Sequence, residues 1–293
     1  MDYSAALKNF TPSKDYFAGI DSDGCAFPTM ELKHKNCFVP NFIKFFGLEK
    51  VSRFARETWE FVNLYSLDRG VNRFPALVKS IELLIRRPEF AQSGIPAPDL
   101  KDIRAFVFSG KPQSNSGLKE FMKEHESPSL KNLLAWSEAV NADVELKVKN
   151  VGPFPSVLKS LKKLFPLADI MVISGTPVEA LEREWKEHGI SGFAKLICGQ
   201  EMGTKKEHLS VAAKGKYAPG KILMIGDAPG DHKAAVANDA LFFPVDPGSE
   251  ERSWALLAGE GLDRFFEGTY KGTFEDDLIA KFYALLPEKP AWE

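Results

Sequence analysis

Residues 16–24 read Tyr-Phe-Ala-Gly-Ile-Asp-Ser-Asp-Gly, an apolar run that delivers two aspartates, Asp21 and Asp23, one residue apart. In a strand, side chains alternate, so Ile20 and Ser22 go to one face and Asp21 and Asp23 to the other. Two carboxylates on one side of a strand's carboxyl end make a place where a hard cation and an acid–base group can sit together. Gly24 then lets the chain turn sharply away. Acidic residues after strands also serve as plain turn formers, so the stretch takes its meaning from the segments that answer it.

Those segments begin near residue 151. Residues 151–165 (VGPFPSVLKSLKKLF) place Val157, Leu158, Leu161 and Leu164 on one side of a helix. Residues 168–174 (ADIMVIS) have the length and branching of a buried strand. Pro177 opens a second helix and Gly189 closes it. AKLICGQE, KILMIGD and ALFFPVD read as further strands, separated by the helices KKEHLSVAAKG and DHKAAVAND. Regular alternation of this kind predicts a parallel sheet with helices on both faces, a Rossmann-like α/β core.

Residues 31–149 differ. EKVSRFARETWEFVNLYSL, NRFPALVKSIELLIRR, LKEFMKEH and SLKNLLAWSEAVN carry helical spacing, and RRPEFAQSGIPAPDL is Pro-rich and reads as a loop or extended connection. The expected organisation is an α/β core from residues 1–30 and 150–293, with a mostly helical domain, 31–149, inserted after the first strand. The stretch ERSWALLAGEGLDRFF reads as amphipathic helices that close the core.

Each expected strand ends in a chemically loaded residue: Asp21 and Asp23, then Ser174, then Lys205 and Lys206, then Asp227 with Asp231 four residues on. In an open parallel sheet these carboxyl ends form one crevice. A strand-end Asp or Ser can be a mere helix cap, but two acid clusters, a hydroxyl and a lysine make an odd set of caps. Asp21, Asp227 and a backbone carbonyl can supply oxygen ligands to Mg²⁺. A carboxylate can attack phosphorus to form an aspartyl-phosphate, given cations that relieve the charge repulsion. Ser174 can donate to a phosphoryl oxygen, and Asp23 can protonate the leaving oxygen and later deprotonate water.

Asp21-Ser-Asp23-Gly, Ser174, Lys205 and Gly226-Asp227-x-x-x-Asp231 resemble, in order, the four motifs of the haloacid dehalogenase-like (HAD) hydrolase superfamily. The resemblance covers about residues 15–30 and 150–250, and residues 31–149 correspond in position to the helical cap of many members. It implies Asp21 as nucleophile and metal ligand, and Asp23 as general acid–base that also offers its backbone carbonyl to the metal. Asp227 would bind Mg²⁺, with Asp231 as a further ligand or a support for one. Cys25 stands where relatives usually have threonine, and Lys205 and Lys206 are adjacent candidates for the lysine. A second aspartate suits departure of an alkoxide rather than halide, so the resemblance implies a phosphatase, with a phosphomutase as the alternative and a non-catalytic binding protein as a third reading. For the substrate, Gly175 at the second motif and Arg69, Asn72 and Arg73 in the cap are candidates; Arg can clamp a carboxylate or second phosphate, or form structural ion pairs within the cap.

Bulk composition fits this reading. The 293 residues are 44% hydrophobic and 27% charged with formal net charge −2, which gives no electrostatic reason to hold nucleic acid or an anionic membrane. No apolar run approaches the roughly 20 residues of a membrane span. Cys25, Cys37 and Cys198 are an odd count without a C-x-x-C pair, which argues against a disulfide framework and for a reducing, cytoplasmic home. The expected partner is a small phosphorylated metabolite; the oligomeric state is open.

Overall fold

The computed structural model describes residues 3–293 and divides into two compact units. One runs through Met30 and resumes from Asn150 to Pro287; the other holds Glu31–Lys149 and Glu288–Glu293. The closing residues, expected with the sheet, therefore belong to the helical unit. Trp292 explains why: it stands edge-on to Phe61, centroids 5.5 Å apart, and carries the Arg87 guanidinium 4.3 Å above its ring.

The first unit is built on five strands: β1 (Tyr16–Ile20), β2 (Ala168–Ile173), β3 (Leu196–Cys198), β4 (Ile222–Gly226) and β5 (Leu241–Pro244). Their order is β3-β2-β1-β4-β5 and every pairing is parallel. Burial on both faces explains why these strands read as continuous apolar runs; β2 is buried along its whole length. β1 is central, with Ile20 level with Val172 of β2 and Ile225 of β4. That register brings the first residues beyond β1, β2 and β4 to one edge, although they lie far apart in the chain.

The two faces are separately packed. Ala18 and Ile20 join a core with Val157, Leu161, Leu181, Trp185, Trp254 and Leu257. Phe17, Met171, Ile173 and Met224 pack against Leu209, Ala212, Ala234, Ala235 and Phe282 on the other face. Gly19 lies on this second face, where a Cβ would come within 2.8 Å of Ile173 Cδ1 and 3.1 Å of Met224 Sδ. Helices Lys205–Ala212 and Pro229–Ala237 cover that face and start at the sheet's carboxyl edge.

The helical unit has its own core around Trp59 and Trp136, whose rings meet at 5.9 Å and 69° among Phe38, Phe42, Phe46 and Phe74. One expectation fails here. Residues 86–100 are not all loop or extended chain, since Pro88–Ser93 forms a helix ended by Gly94 at φ 68°. Proline at the first helical position is preorganised for the turn, and burial of Phe90 in the core rewards it. Among the described residues no helix is long and apolar enough to cross a membrane.

Candidate active site

The alternation of β1 carries past its end. Ser22 continues the even-numbered face, where its hydroxyl accepts from Trp185 Nε1 at 3.0 Å and donates to Glu184 Oε2 at 3.1 Å. Asp21 continues the odd-numbered face, toward the first turns of helices Lys205–Ala212 and Pro229–Ala237. Its N–H donates to the Ile225 carbonyl at 3.0 Å, so the sheet's own ladder fixes its backbone. Lys205 Nζ stands 2.8 Å from Asp21 Oδ2 and 2.6 Å from Asp231 Oδ1, bridging the two acids. Oxygens of Asp21, Asp227 and Asp231 all lie within 4.8 Å of one another, and all three side chains are buried.

Local sequence accounts for this closeness. Asp231 Oδ2 accepts the Ala228 N–H at 3.1 Å, at the start of its helix. The helix therefore delivers Asp231 back onto Gly226, where a Cβ would fall 2.4 Å from the Asp231 carboxylate. Only glycine tolerates that approach.

Burial and charge act together on these groups. Burial pushes Asp21 up to about 6 against the pull of Lys205, and Asp227 adds to the rise. Asp231 is likewise raised to about 6, again by burial first. Burial works to lower Lys205, yet Asp21 and Asp231 hold it above its ordinary value, so it stays a cation. An all-carboxylate set of hard oxygen donors suits a cation such as Mg²⁺ better than a soft metal.

Asp23 is handled differently. Its carboxylate accepts from Thr29 Oγ1 at 2.5 Å on Oδ1 and from Thr176 Oγ1 at 2.6 Å on Oδ2. Its carboxylate lies outside the buried carboxylate trio, so three of the four expected acids cluster while the fourth is held by hydroxyls. Neither threonine stood out in the sequence. The turn after Asp23 is closed by Gly24, at φ 78°, donating to the Phe27 carbonyl at 2.8 Å. Cys25 is buried there, its thiol directed at the Ile225 carbonyl at 3.7 Å and its own carbonyl accepting from Trp254 Nε1 at 2.7 Å. Cys25 thus ties the loop to β4 and to Trp254 without a threonine at 25. Burial, then the nearby carboxylates, pushes the Cys25 thiol well above its ordinary range.

Ser174 leaves β2 with its N–H donating to the Cys198 carbonyl at 3.0 Å, and its hydroxyl accepts the Thr176 N–H at 3.2 Å. Gly175 is exposed between them. Lys206 points elsewhere: it is exposed, and its carbonyl accepts from Asn238. Geometry therefore selects Lys205 of the two.

In the helical unit, the candidate substrate residues each make hydrogen bonds within the unit. Asn72 caps helix Arg73–Ile85 by accepting from Phe74 N–H at 3.0 Å and donates to the Gln113 carbonyl at 2.8 Å. Arg73 donates to the Ser137 carbonyl and hydroxyl and to Asn141 Oδ1 at 2.7 Å, with its guanidinium 5.0 Å over Phe38. Arg69 is buried and donates to the Leu64 carbonyl at 2.8 Å.

No protein-family model and no curated protein matches the chain. Solved structures do. A predicted phosphoglycolate phosphatase from Haemophilus somnus superposes with a TM-score of 0.50 at 13% identity, over 85% of this chain and 93% of that one. A haloacid dehalogenase-like family hydrolase from Streptococcus pneumoniae gives 0.45 at 16% identity, over 85% and 98%. At such identities the likeness is one of architecture alone: this chain shares the α/β fold of the Haemophilus somnus protein.

Proposed function

We propose that the chain is a Mg²⁺-dependent phosphatase that hydrolyses a small phosphorylated metabolite through an aspartyl-phosphate. One observation carries the reading: the end of the central strand presents a buried carboxylate, Asp21, flanked by two further acids and clamped by a lysine, with a second aspartate held separately by two hydroxyls. A structural ion pair does not need two buried carboxylates on one lysine with a third carboxylate beside them, and burying that much charge costs stability, which points to retention for function.

Asp21 is the nucleophile. Its carboxylate oxygen attacks phosphorus, the bond to the ester oxygen breaks, and Asp23 delivers a proton to the departing oxygen. Water then attacks the aspartyl-phosphate, gives its proton to Asp23 and releases inorganic phosphate. Lys205 and the Ser174 hydroxyl offer positive charge and a hydrogen bond to the phosphoryl oxygens. Asp21, Asp227 and Asp231 would hold Mg²⁺, with the Asp23 backbone carbonyl as a further ligand; when bound, the ion offsets repulsion between an anionic nucleophile and the phosphate. Cys25, Cys37 and Cys198 are free and buried, which supports a reducing, cytoplasmic setting.

The test is phosphate release from a panel of phosphorylated metabolites with Mg²⁺ and with chelator. Turnover that needs Mg²⁺ and disappears in Asp21→Asn is expected; a panel on which wild type and Asp21→Asn are indistinguishable overturns the reading.

A further inference from the structure

We infer that Thr176 is the positioning residue for the general acid, setting the orientation in which Asp23 delivers its proton to the leaving group. The inference rests on the phosphatase reading above and adds to it a residue outside the attacking and metal-holding groups.

Thr176 is anchored before it reaches Asp23. Its N–H donates to the Ser174 hydroxyl at 3.2 Å, and its carbonyl accepts from Gln200 N–H at 3.1 Å. Gly199 makes room for this approach, because a Cβ there would lie 2.5 Å from the Thr176 carbonyl oxygen. The backbone of Thr176 is thus tied to β2's end on one side and to the segment after β3 on the other. From that fixed frame its hydroxyl meets Asp23 Oδ2 at 2.6 Å. A carboxyl group turns readily about its last torsion. Thr29 donates to Oδ1 and Thr176 to Oδ2, so the hydroxyl of Thr176 holds the second oxygen and helps set the plane of the group.

A hydroxyl is the suitable partner for a group that gains and loses a proton within one cycle. It donates to the ionised carboxylate and can accept from the protonated acid. A lysine or arginine in its place could only donate, and would resist protonation of Asp23.

The residue types also separate its duties from those of Ser174. In the phosphatase reading Ser174 offers its hydroxyl to the phosphoryl oxygens, and Thr176 acts on the proton that leaves with the ester oxygen. In the first half-reaction the bond from phosphorus to the ester oxygen breaks as the bond to Asp21 forms. The electron pair left on the ester oxygen takes the Asp23 proton. Misorientation of Asp23 therefore slows departure of basic leaving groups most, because acidic phenols depart without help.

The experiment compares wild type, Thr176→Val and Thr176→Ser on substituted phenyl phosphates of similar size, with Mg²⁺. It reads kcat/KM, which covers steps up to loss of the phenol, as a function of leaving-group pKa. Valine keeps the shape and removes the hydroxyl; serine keeps the hydroxyl. The expected result is a steeper dependence in Thr176→Val: loss of about tenfold or more with the most basic phenol and little with p-nitrophenyl phosphate. Thr176→Ser should restore the wild-type slope. Equal losses across the series, or none, overturn the inference, since a merely structural role lowers all members alike. A wild-type protein that releases phosphate from no member overturns the phosphatase reading itself and the inference with it.

Discussion

Lys205 holds two buried acids at once, and that sets what single substitutions should do. Asp23→Asn retains size and hydrogen-bonding capacity but cannot give up a proton, so kcat should fall roughly 10²–10⁴-fold on alkyl phosphates. Steady-state rates with an alkyl and an aryl ester check this, and equal losses on both would contradict the assignment. Asp169 is an independent residue-scale case. Buried at the start of β2, it accepts from the Ser13 hydroxyl at 2.7 Å, the Ser13 and Lys14 N–H groups, the Tyr217 hydroxyl at 2.7 Å and Lys195. Burial alone would raise it, but these donors, Ser13 foremost, bring it down to about 2. Its folded pKa is depressed, so its contribution to stability is complete above the unfolded value near 4 and drains as pH falls toward 2. Asp169→Asn should cost about 3 kcal/mol at neutral pH and much less near pH 2, read by urea unfolding at each pH.

At the scale of elements, the loop from β4 into helix Pro229–Ala237 makes the sharpest demand. Gly226→Ala forces a Cβ to within 2.4 Å of the Asp231 carboxylate. It should destabilise by about 1–3 kcal/mol and weaken Mg²⁺-induced thermal stabilisation, measured by thermal shift with and without the ion. Elements of this kind were legible from sequence for a physical reason. Strands buried on both faces must be apolar throughout, and a parallel sheet must gather their ends, so Asp21, Ser174, Lys205 and Asp227 announce themselves. Thr29 and Thr176 do not, because a lone hydroxyl carries no pattern and the partner of Thr176 lies 153 residues away. The helix Pro88–Ser93 was hidden for a related reason: prolines suggested extended chain, while the burial of Phe90 that stabilises the helix is a tertiary fact. The cap residues Arg69, Asn72 and Arg73 are chemical by type, and each also bonds within the unit's own turns and packing, which no spacing in the sequence announces.

For the molecule as a whole, the two units rest on separate cores. Trp136 is wholly buried in the helical one. Trp136→Ala should cost that unit about 3–5 kcal/mol. Hydrogen exchange should rise in peptides from residues 31–149 and stay unchanged in β1, β2 and β4. The site of the sheet unit gives the whole protein a pH signature. Asp21 and Asp231 are raised to about 6, so between about 4 and 6 the folded chain binds more protons than the unfolded one. Metal-free stability should therefore fall as pH rises through that window. Mg²⁺ needs the ionised carboxylates, so its stabilising shift should grow from pH 5 to 7.5.

The central claim is that Asp21 takes the phosphoryl group. Acid quench during turnover, followed by mass spectrometry of the peptides, tests it most directly. A phosphoryl group on Asp21 in wild type, absent from Asp21→Asn, is the predicted result; steady turnover with an unmodified Asp21, or with the group on another residue, would contradict it.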